Sequence, residues 1–469
     1  MHFIGIGGTG LSAIARVLLE SGYTVSGSDR SLSPMAKSLQ AEGARIYIGH
    51  EAANVEGAQV VVRSSAVPDD NVEVLAALQK GIPVMKRSEF LSSLMDNHFV
   101  LAVAGTHGKT TTTAMIAWML TCLGQQPSFI VGSVLNNLKT NARAGNGRAF
   151  VIEADEYDRM FLGLKPNLAV VTNIEHDHPD CYPTPEDFFQ AFSLFASQVV
   201  KGGTLLVCAN DAQAVRLAQL AEGRGQRVLS YAIREPGLKS YGRPADYVAD
   251  SLITDQAGGM RFDAYGSLPG RKFELHPAAS LRVPGKHNVQ NALAAIAVAH
   301  QMQLSVEEAC RALSEFTGTG RRFEVRGEVN GITVIDDYAH HPTEIRATLS
   351  AARLRYPASK LWVVWQPHTY SRTRILLADF SSAFEQADHV IVTDIFAARE
   401  QPPEDGFSSR QVVNAMIHAD ARLIADLAQV SVYLVDRLTA GDVLLVLSAG
   451  DADQVSLQVL EQLKERNRK

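Results

Sequence analysis

A glycine-rich loop, GTHGKT at residues 105–110, follows an apolar run and precedes a segment with helical periodicity. In that position the backbone N–H groups would cradle phosphate oxygens, Lys109 would reach the β- and γ-phosphates of a nucleoside triphosphate, and the Thr110 hydroxyl would bind Mg²⁺. The loop is shorter than the full phosphate-binding pattern, because its first glycine stands three residues before Gly108 rather than five. Its working end, Gly108-Lys109-Thr110, is intact and favours phosphate binding over a solvated lysine.

Two polar clusters follow apolar runs further along the chain. EADEYD, at residues 153–158, comes after the run 150–152, and NIEHDH, at residues 173–178, comes after the run 168–172. Polar residues that follow parallel strands meet at one edge of an open α/β sheet. Clustered carboxylates suit Mg²⁺, which takes a few oxygen ligands beside substrate phosphates. The clusters predict a divalent cation site, although any single histidine among them is also compatible with a surface loop.

A second glycine loop lies at the start of the chain. GIGGTG, at residues 5–10, stands between a predicted strand and a predicted helix, and Asp29 ends the next predicted strand. The glycines permit a tight turn at a helix N-terminus, which can bind a diphosphate, and Asp29 stands where a ribose-binding carboxylate would lie. The pattern predicts a dinucleotide or a nucleotide diphosphate, and a tight turn without a ligand stays open.

Four further motifs occur in the second half: GKHN at 285–288, GTGRRFE at 318–324, DDYAHHPTE at 336–344 and QPH at 366–368. Arginine next to a glycine hinge, as in GTGRRFE, can bind phosphate through two hydrogen bonds. The stretch 336–344 stands at another predicted strand-to-helix turn. Each motif alone is also compatible with helix capping or an ion pair.

The elements that position these motifs are short β-rich runs alternating with helical patterns, which predict βαβ units and parallel sheets. Segments 247–253, 260–265 and 272–275 instead predict antiparallel strands. In the last third we predict, among other elements, a helix at 374–387 and a strand at 432–435. Boundaries are expected near residue 97 and at the glycines of 318–320. No repeat of 20–50 residues is visible.

Composition excludes several classes of protein. The 469 residues include 44 basic and 50 acidic side chains, with a formal net charge of −6, so we expect no nucleic-acid partner. Apolar runs fall short of the roughly 18 residues that span a bilayer, so we expect no membrane insertion. The N-terminus does not resemble a signal peptide. The four cysteines form no CxxC pair, so neither a structural zinc site nor a disulfide framework is expected, and a cytoplasmic location is predicted.

Taken together, these motifs make the chain resemble the Mur ligase family, the ATP-dependent amide-forming enzymes of peptidoglycan precursor synthesis. The resemblance rests on GTHGKT, EADEYD, NIEHDH, GKHN, GTGRRFE and DDYAHHPTE, and it spans essentially the whole chain. It implies an α/β protein of three domains: a Rossmann-like UDP-sugar domain at 1–97, a phosphate-loop ATPase-like domain for ATP and Mg²⁺ at 98–319, and a Rossmann-like amino-acid domain at 320–469. It also implies a role in cell wall biogenesis, cell shape and cell division.

Carried over position by position, the resemblance assigns roles to residues of this chain. ATP would be bound by Gly105, Thr106, His107, Gly108, Lys109, Thr110, Thr111, Asn288, Asn291 and Arg322. Mg²⁺ would be held by Thr110, Glu153 and His178. Catalysis would involve Lys109, Arg322, His340 and His341. The UDP-sugar and the amino acid would be bound by Gly7, Gly8, Thr9, Gly10, Ser28, Asp29, Glu175, Tyr338, His368 and Arg372.

Within the family the chain is most similar to the branch that joins L-alanine to UDP-N-acetylmuramate. Several relatives of other branches carry a lysine that forms a carbamate ligand for Mg²⁺, and the matching position here is Ser193. Another departure is Thr369, where an arginine usually follows QPH. The alternatives are a ligase that recycles a murein tripeptide onto the same sugar nucleotide, an NAD-dependent oxidoreductase and a non-enzymatic nucleotide sensor. A monomer or a weak dimer is expected.

Overall fold

The computed structural model describes residues 1–235, 241–268 and 271–466, and within these ranges the chain forms three β-sheets packed against helices. The mixed α/β class predicted from the sequence is confirmed. Every helix of the described residues is too short or too polar to cross a membrane.

The first sheet is parallel and begins at the N-terminus. Its elements are β1 (His2–Ile4), α1 (Thr9–Glu20), β2 (Ser26–Asp29), α2 (Pro34–Ala41), β3 (Arg45–Ile48), a 3₁₀ turn (Ala52–Val55), β4 (Val61–Arg63), α3 (Val72–Gln79), β5 (Val84–Lys86) and α4 (Arg87–Leu94). The strand order is β3-β2-β1-β4-β5. Strand β1 is central, so the glycine loop after it lies where the order reverses, which is where open α/β sheets bind ligands.

The central sheet is the largest. Its elements are β6 (Phe99–Ala104), α5 (Lys109–Cys122), β7 (Ser128–Leu135), β8 (Thr140–Arg143), β9 (Ala149–Glu153), a 3₁₀ segment (Tyr157–Gly163), β10 (Leu168–Val171), α6 (Pro185–Ser197), β11 (Thr204–Cys208), α7 (Ala212–Gly223), β12 (Arg227–Ile233), β13 (Tyr247–Thr254), β14 (Met260–Leu268), β15 (Arg271–Leu281), α8 (Lys286–Gln301) and α9 (Val306–Ser314).

The strand order of the central sheet brings the predicted motifs together. The order is β15-β14-β13-β12-β11-β10-β6-β9-β7-β8, with β6 parallel to both β9 and β10. The phosphate loop therefore lies between the two polar clusters that end β9 and follow β10. Strands β13, β14 and β15 form the antiparallel extension that the sequence predicts.

The third sheet has the order β16-β17-β21-β18-β19-β20, and β16 is antiparallel to its neighbour. Its elements are β16 (Glu324–Val329), β17 (Ile332–Asp337), α10 (Pro342–Arg355), β18 (Leu361–Gln366), α11 (Tyr370–Ile375), α12 (Leu377–Ser381), β19 (His389–Val392), α13 (Ser409–Ala415), β20 (Ala421–Leu423), α14 (Leu427–Val435), β21 (Val443–Ser448) and α15 (Asp453–Arg466).

Of two predicted elements of this region, the strand is wrong and the helix is only partly correct. The strand predicted at 432–435 is the end of helix α14, because Asp426 caps the helix by accepting a hydrogen bond from the Gln429 N–H, and Val430 and Leu434 are buried at helical spacing. The helix predicted at 374–387 is replaced by α11 and α12, which meet at the non-helical Leu376.

The hydrophobic clusters show how the sheets are joined. Phe3 and Phe90 of the first sheet share one buried cluster with Ile152 and Phe161 of the central sheet. The third sheet instead has two clusters built from its own strands and helices. Polar contacts therefore carry much of its attachment to the central sheet. The predicted domain limits, at 97/98 and 319/320, stay a prediction.

Candidate active site

The phosphate loop requires its glycines. Gly105 and Gly108 have φ values of 137° and 82°, in the region that favours glycine. A Cβ atom on Gly105 would lie 1.9 Å from Thr172 Oγ1, and one on Gly108 would lie 2.8 Å from Asn291 Oδ1. Neighbouring elements therefore enclose the loop tightly, and Asn291 of α8, one of the two asparagines predicted to bind nucleotide, lies next to Gly108.

Lys109 is turned inward in this structure. Its Nζ donates hydrogen bonds to the carbonyl oxygens of Gly105 (2.5 Å) and Thr106 (3.0 Å) and to Glu156 Oε1 (2.8 Å). Burial lowers the pKa of Lys109, but the charge and hydrogen bond of Glu156 outweigh it, and the pKa lies above its ordinary value. The ammonium is therefore charged and has a carboxylate partner that phosphate oxygens would have to replace.

The predicted metal ligands lie along one wall of a cleft. The Thr110 hydroxyl donates to Glu153 Oε1 (2.9 Å), and the Gly132 N–H donates to Glu153 Oε2 (2.6 Å). His178 Nε2 lies 3.4 Å from Glu156 Oε1. Glu156 Oε2 is buried without a hydrogen-bond partner in the described structure. All four side chains border the same cavity, and their carboxylate and hydroxyl oxygens and imidazole nitrogen are the kinds of ligand atom that a divalent cation such as Mg²⁺ can take.

His107 joins the central and third sheets. Its Nε2 lies 2.9 Å from Glu175 Oε2, and its Nδ1 lies 3.2 Å from Glu344 Oε1 on α10. Burial lowers the pKa of His107, but the hydrogen bonds and charges of Glu175 and Glu344 raise it to about 9. Burial raises the pKa of Glu175, but its bond to His107 brings it down to about 2. At neutral pH this contact is a cation between two anions.

A buried ion pair forms the second bridge between these sheets. Arg372 Nε donates to Asp177 Oδ1 (2.7 Å), and the two side chains are 4% and 5% exposed. Arg372 Nη1 also donates to the carbonyl oxygen of His368 (3.3 Å). Burial raises the pKa of Asp177, but the Arg372 charge holds it well below its usual range. Arg372 was predicted to bind substrate, and here it is engaged by a carboxylate of the central sheet.

The two histidines of DDYAHHPTE differ in the ring nitrogen that carries the proton. His340 Nδ1 lies 2.9 Å from the Tyr338 carbonyl oxygen, which only accepts, so Nδ1 carries the proton and Nε2 keeps a lone pair. The Thr343 N–H donates to His341 Nδ1 (3.3 Å), so a neutral His341 carries its proton on Nε2. Burial lowers the pKa of both, that of His340 to about 3.

Two neighbouring cavities contain most of the predicted site. The larger, of about 920 Å³, is bordered by residues of all three sheets; among the predicted ones are Thr9, Gly10, Thr106, Lys109, Thr110, Glu153, His178, Arg322, Tyr338, His340, His368 and Arg372. The smaller, of about 260 Å³, is bordered by the predicted residues His107, Gly108, Thr110, Thr111, Glu175, Asn288, Asn291 and Arg322. Arg322 and Thr110 border both, so the cavities meet at the phosphate loop.

The first glycine loop reaches the larger cavity through Thr9 and Gly10. The Gly7 N–H donates to Asp29 Oδ2 (2.8 Å), which ties the loop to the end of β2. The Ser28 hydroxyl donates to Glu73 Oε2 (2.5 Å) inside the domain. Gly8 lies in the same turn, its N–H donating to the Gly5 carbonyl oxygen (3.2 Å).

Several site residues were missed by sequence reasoning. Arg87 of α4 lies over the first glycine loop, where a Cβ on Gly10 would be 1.7 Å from Arg87 Nη1, and its Nη2 donates to Asp155 Oδ2 (3.1 Å). Asp177 and Glu156 stand inside recognised motifs, but nothing in the sequence identifies their partners. Arg87 has no local sequence signal at all.

Comparisons with known proteins cover the whole chain. Three family models match: "Mur ligase family, catalytic domain" at residues 1–99, "Mur ligase middle domain" at 103–299 and "Mur ligase, glutamate ligase domain" at 321–450. A UDP-N-acetylmuramate–L-alanine ligase of Roseiflexus sp. (strain RS-1) is 42% identical, with 99% of each chain covered. One of Caldanaerobacter subterraneus subsp. tengcongensis is 40% identical, over 99% of this chain and 98% of the relative.

Solved structures agree with these matches. The UDP-N-acetylmuramate–alanine ligase of Thermotoga maritima has a TM-score of 0.81 at 27% identity, with 99% of each chain covered. A murein peptide ligase of Psychrobacter arcticus has a TM-score of 0.69 at 28% identity, with 98% of each chain covered. The motifs, the three sheets and the matches along the full length have one explanation: the chain belongs to the Mur ligase family.

Proposed function

We propose that the chain joins L-alanine to the lactyl carboxylate of UDP-N-acetylmuramate, with conversion of ATP to ADP and phosphate. The observation that carries the proposal is the cavity of about 920 Å³, which is bordered by the first glycine loop, the phosphate loop, and His340 and His368 of the third sheet. A sugar nucleotide with its diphosphate at the first loop would place its carboxylate near the γ-phosphate of ATP. The curated relatives carry the name of this activity.

The first step transfers the γ-phosphoryl group to the lactyl carboxylate and gives an acyl phosphate and ADP. Two anions must meet, so positive charge is the main requirement. Lys109 and Arg322 border the cavity and would supply it. Thr110, Glu153 and His178 would hold Mg²⁺, which when bound neutralises phosphate charge and polarises the transferred group. His107, Gly108, Thr111, Asn288 and Asn291 would hold ATP in the smaller cavity.

The second step is the attack of the alanine amine on the acyl phosphate, with loss of phosphate. The nitrogen becomes more acidic as the new C–N bond forms, and a neutral imidazole can then accept its proton. His340 suits this role better than His341, because its Nε2 has the lone pair and because His340, unlike His341, is among the residues that border the larger cavity. Tyr338, His368 and Arg372 would position the amino acid.

The nearest alternative in the family is the ligase that attaches a murein tripeptide. Identity to the solved structures does not separate the two, at 27% and 28%, but the TM-score of 0.81 against 0.69 and the curated relatives favour alanine. An oxidoreductase is not favoured, because family membership and the phosphate loop both point to ATP.

We also propose the three-domain division of the sequence analysis, a cytoplasmic location and a monomer or weak dimer. Sedimentation velocity would test the oligomeric state.

The test is phosphate release by the full chain with ATP and UDP-N-acetylmuramate. L-alanine, glycine, L-serine and the murein tripeptide are supplied in parallel, and the product mass is recorded. We expect release to depend on ATP, a divalent cation and L-alanine together. Faster turnover with the tripeptide would replace the proposed substrate, and turnover with NAD in the absence of ATP would overturn the ligase assignment.

A further inference from the structure

Glu156 is a buried carboxylate, and one of its two oxygens has no hydrogen-bond partner among the described residues. The residue is 1% exposed and follows β9 by three positions. Its Oε1 accepts a hydrogen bond from Lys109 Nζ (2.8 Å) and lies 3.4 Å from His178 Nε2. Its Oε2 has no hydrogen-bond partner among the described residues. Buried carboxylate oxygens are nearly always paired, so an unpaired one at a cavity wall indicates a missing cationic or donor group.

The residues around Glu156 indicate which kind of group binds its unpaired oxygen, Oε2. Glu156, His178 and Lys109 all border the larger cavity, as do Glu153 and Thr110. All three N–H donors of the Lys109 ammonium are used here, so a phosphate oxygen would have to displace one of its acceptors. Two of these acceptors are carbonyl oxygens of the phosphate loop itself, and we therefore expect Glu156 to be the one released. Glu156 would then be a buried anion beside a histidine and several phosphate oxygens. A divalent cation at that point would compensate all of these anions together, whereas a water molecule would compensate none.

We propose that Glu156 is a direct ligand of the divalent cation that His178 contacts in the nucleotide complex, and that the Lys109 ammonium takes the place of this cation when nucleotide is absent. The inference rests on the proposed ATP-dependent function, because it requires a nucleotide and a cation in this cavity. It adds a ligand to Thr110, Glu153 and His178, and it gives Glu156 two alternative cationic partners, the Lys109 ammonium and the divalent cation.

The test measures binding of Mn²⁺ to the full chain with a non-hydrolysable ATP analogue and UDP-N-acetylmuramate. Free Mn²⁺ is followed by electron paramagnetic resonance, and no turnover is needed. In Glu156→Gln, which keeps the shape but removes the charge, we expect the Kd for Mn²⁺ to rise at least ~10-fold. Asp158→Asn is the matched control: it removes one charge from an exposed position of the same motif and should leave the Kd unchanged.

A second measurement separates this role from a purely structural one. If Glu156 only holds Lys109, the Gln variant keeps its affinity for Mn²⁺ and changes only its affinity for metal-free nucleotide. A Kd for Mn²⁺ within twofold of wild type would therefore overturn the proposal. Should the Gln variant fold poorly, Glu156→Asp retains the charge but retracts the oxygens, and an unchanged Kd there would equally count against it. This experiment measures Mn²⁺ binding and not turnover. Its result can therefore still be interpreted if the phosphate-release assay shows no ligation of alanine.

Discussion

Replacing Arg372 by methionine would remove the cationic half of the buried ion pair that joins the central and third sheets. Methionine retains most of the apolar volume of the arginine stem, so the main change is one of charge. Asp177, which is 5% exposed, would keep one hydrogen bond, from the backbone N–H of His178 to its Oδ1 (2.7 Å). The Nε2 atoms of His178 and His340 lie 3.7 and 4.0 Å from its Oδ2.

These contacts allow an estimate of the free energy that the Arg372→Met substitution would cost. Removing one partner of a buried ion pair costs about 3–5 kcal/mol, because the other charge stays buried. The remaining contacts of Asp177 favour the lower end, about 3 kcal/mol. The third sheet has apolar clusters of its own, so the loss falls on its attachment to the central sheet rather than on its folding. A cost of about 3 kcal/mol corresponds to about a 10²-fold shift toward the detached arrangement.

The assay is hydrogen exchange of the ligand-free protein, followed by mass spectrometry. Peptides that contain residues 174–178 and 366–376 should lose up to ~10²-fold of their protection, while strands β17 and β21 keep theirs. Arg374→Met is the matched control, because the ion pair of Arg374 with Asp405 (2.6 Å) is about half exposed, and its loss should leave the protection of these peptides unchanged.

The double variant Asp177→Asn, Arg372→Met provides the decisive comparison. With no unpaired charge left, most of the protection should return. Ligase activity should stay low, because Arg372 is also proposed to bind substrate. If the single variant loses less than threefold of its protection, or if the double variant is as poorly protected as the single one, the ion pair does not hold the two sheets together.

The remaining predictions concern the nucleotide sites and the charge of His107. Lys109→Ala should lower amide formation at least ~10²-fold in a folded protein, and near-normal phosphate release would remove it from the mechanism. Gly7→Val should raise the KM for UDP-N-acetylmuramate, since a Cβ there would lie 2.9 Å from Asp29 Oδ2; loss of ATP affinity instead would contradict separate nucleotide sites. Because the pKa of His107 is raised to about 9, from an ordinary 6.5, its stabilisation should be complete below pH 6.5 and vanish as pH rises through about 9. Chemical denaturation should show this loss, and His107→Gln should abolish its pH dependence. Bicarbonate should not stimulate turnover near pH 8, because the Ser193 hydroxyl accepts a hydrogen bond from an arginine (2.9 Å) and forms no carbamate; a clear stimulation would refute this.

The parts of the site that the sequence predicts are those in which neighbouring residues act together. The loop GTHGKT and the polar ends of β9 and β10 are local patterns, and parallel pairing with β6 brings them to one edge. The residues of helix α14 predict a strand because the valines at 430, 432 and 435 are β-branched, whereas the cap at Asp426 and the buried Val430 and Leu434 fit a helix. Local propensity was overridden there by capping and packing.

Contacts between side chains of different sheets could not be predicted from the sequence. Arg372 and Asp177 are 195 positions apart, and Arg87 and Asp155 are 68 apart. Each of these side chains has many possible partners in the chain, and only the packing of whole sheets selects one. The same holds for His107, whose two carboxylate partners come from different sheets. The residues of a motif can thus be identified from their types, while the charge that each one faces depends on the tertiary structure.

The charges of the site show why substrate binding and domain arrangement must be linked. Five cations of the site have a carboxylate partner in this structure: Lys109 with Glu156, Arg322 with Glu344, Arg372 with Asp177, Arg87 with Asp155, and His107 with Glu175 and Glu344. A nucleoside triphosphate and the diphosphate of a sugar nucleotide can bind these cations only by separating them from buried or half-buried carboxylates. Three of these five cations, Arg372, Arg87 and His107, contact a carboxylate from an element of a different sheet, so their exchange alters the forces between the sheets. The carboxylates released beside the phosphate loop then require new positive charge, and a divalent cation that arrives with the nucleotide is the group that can supply it.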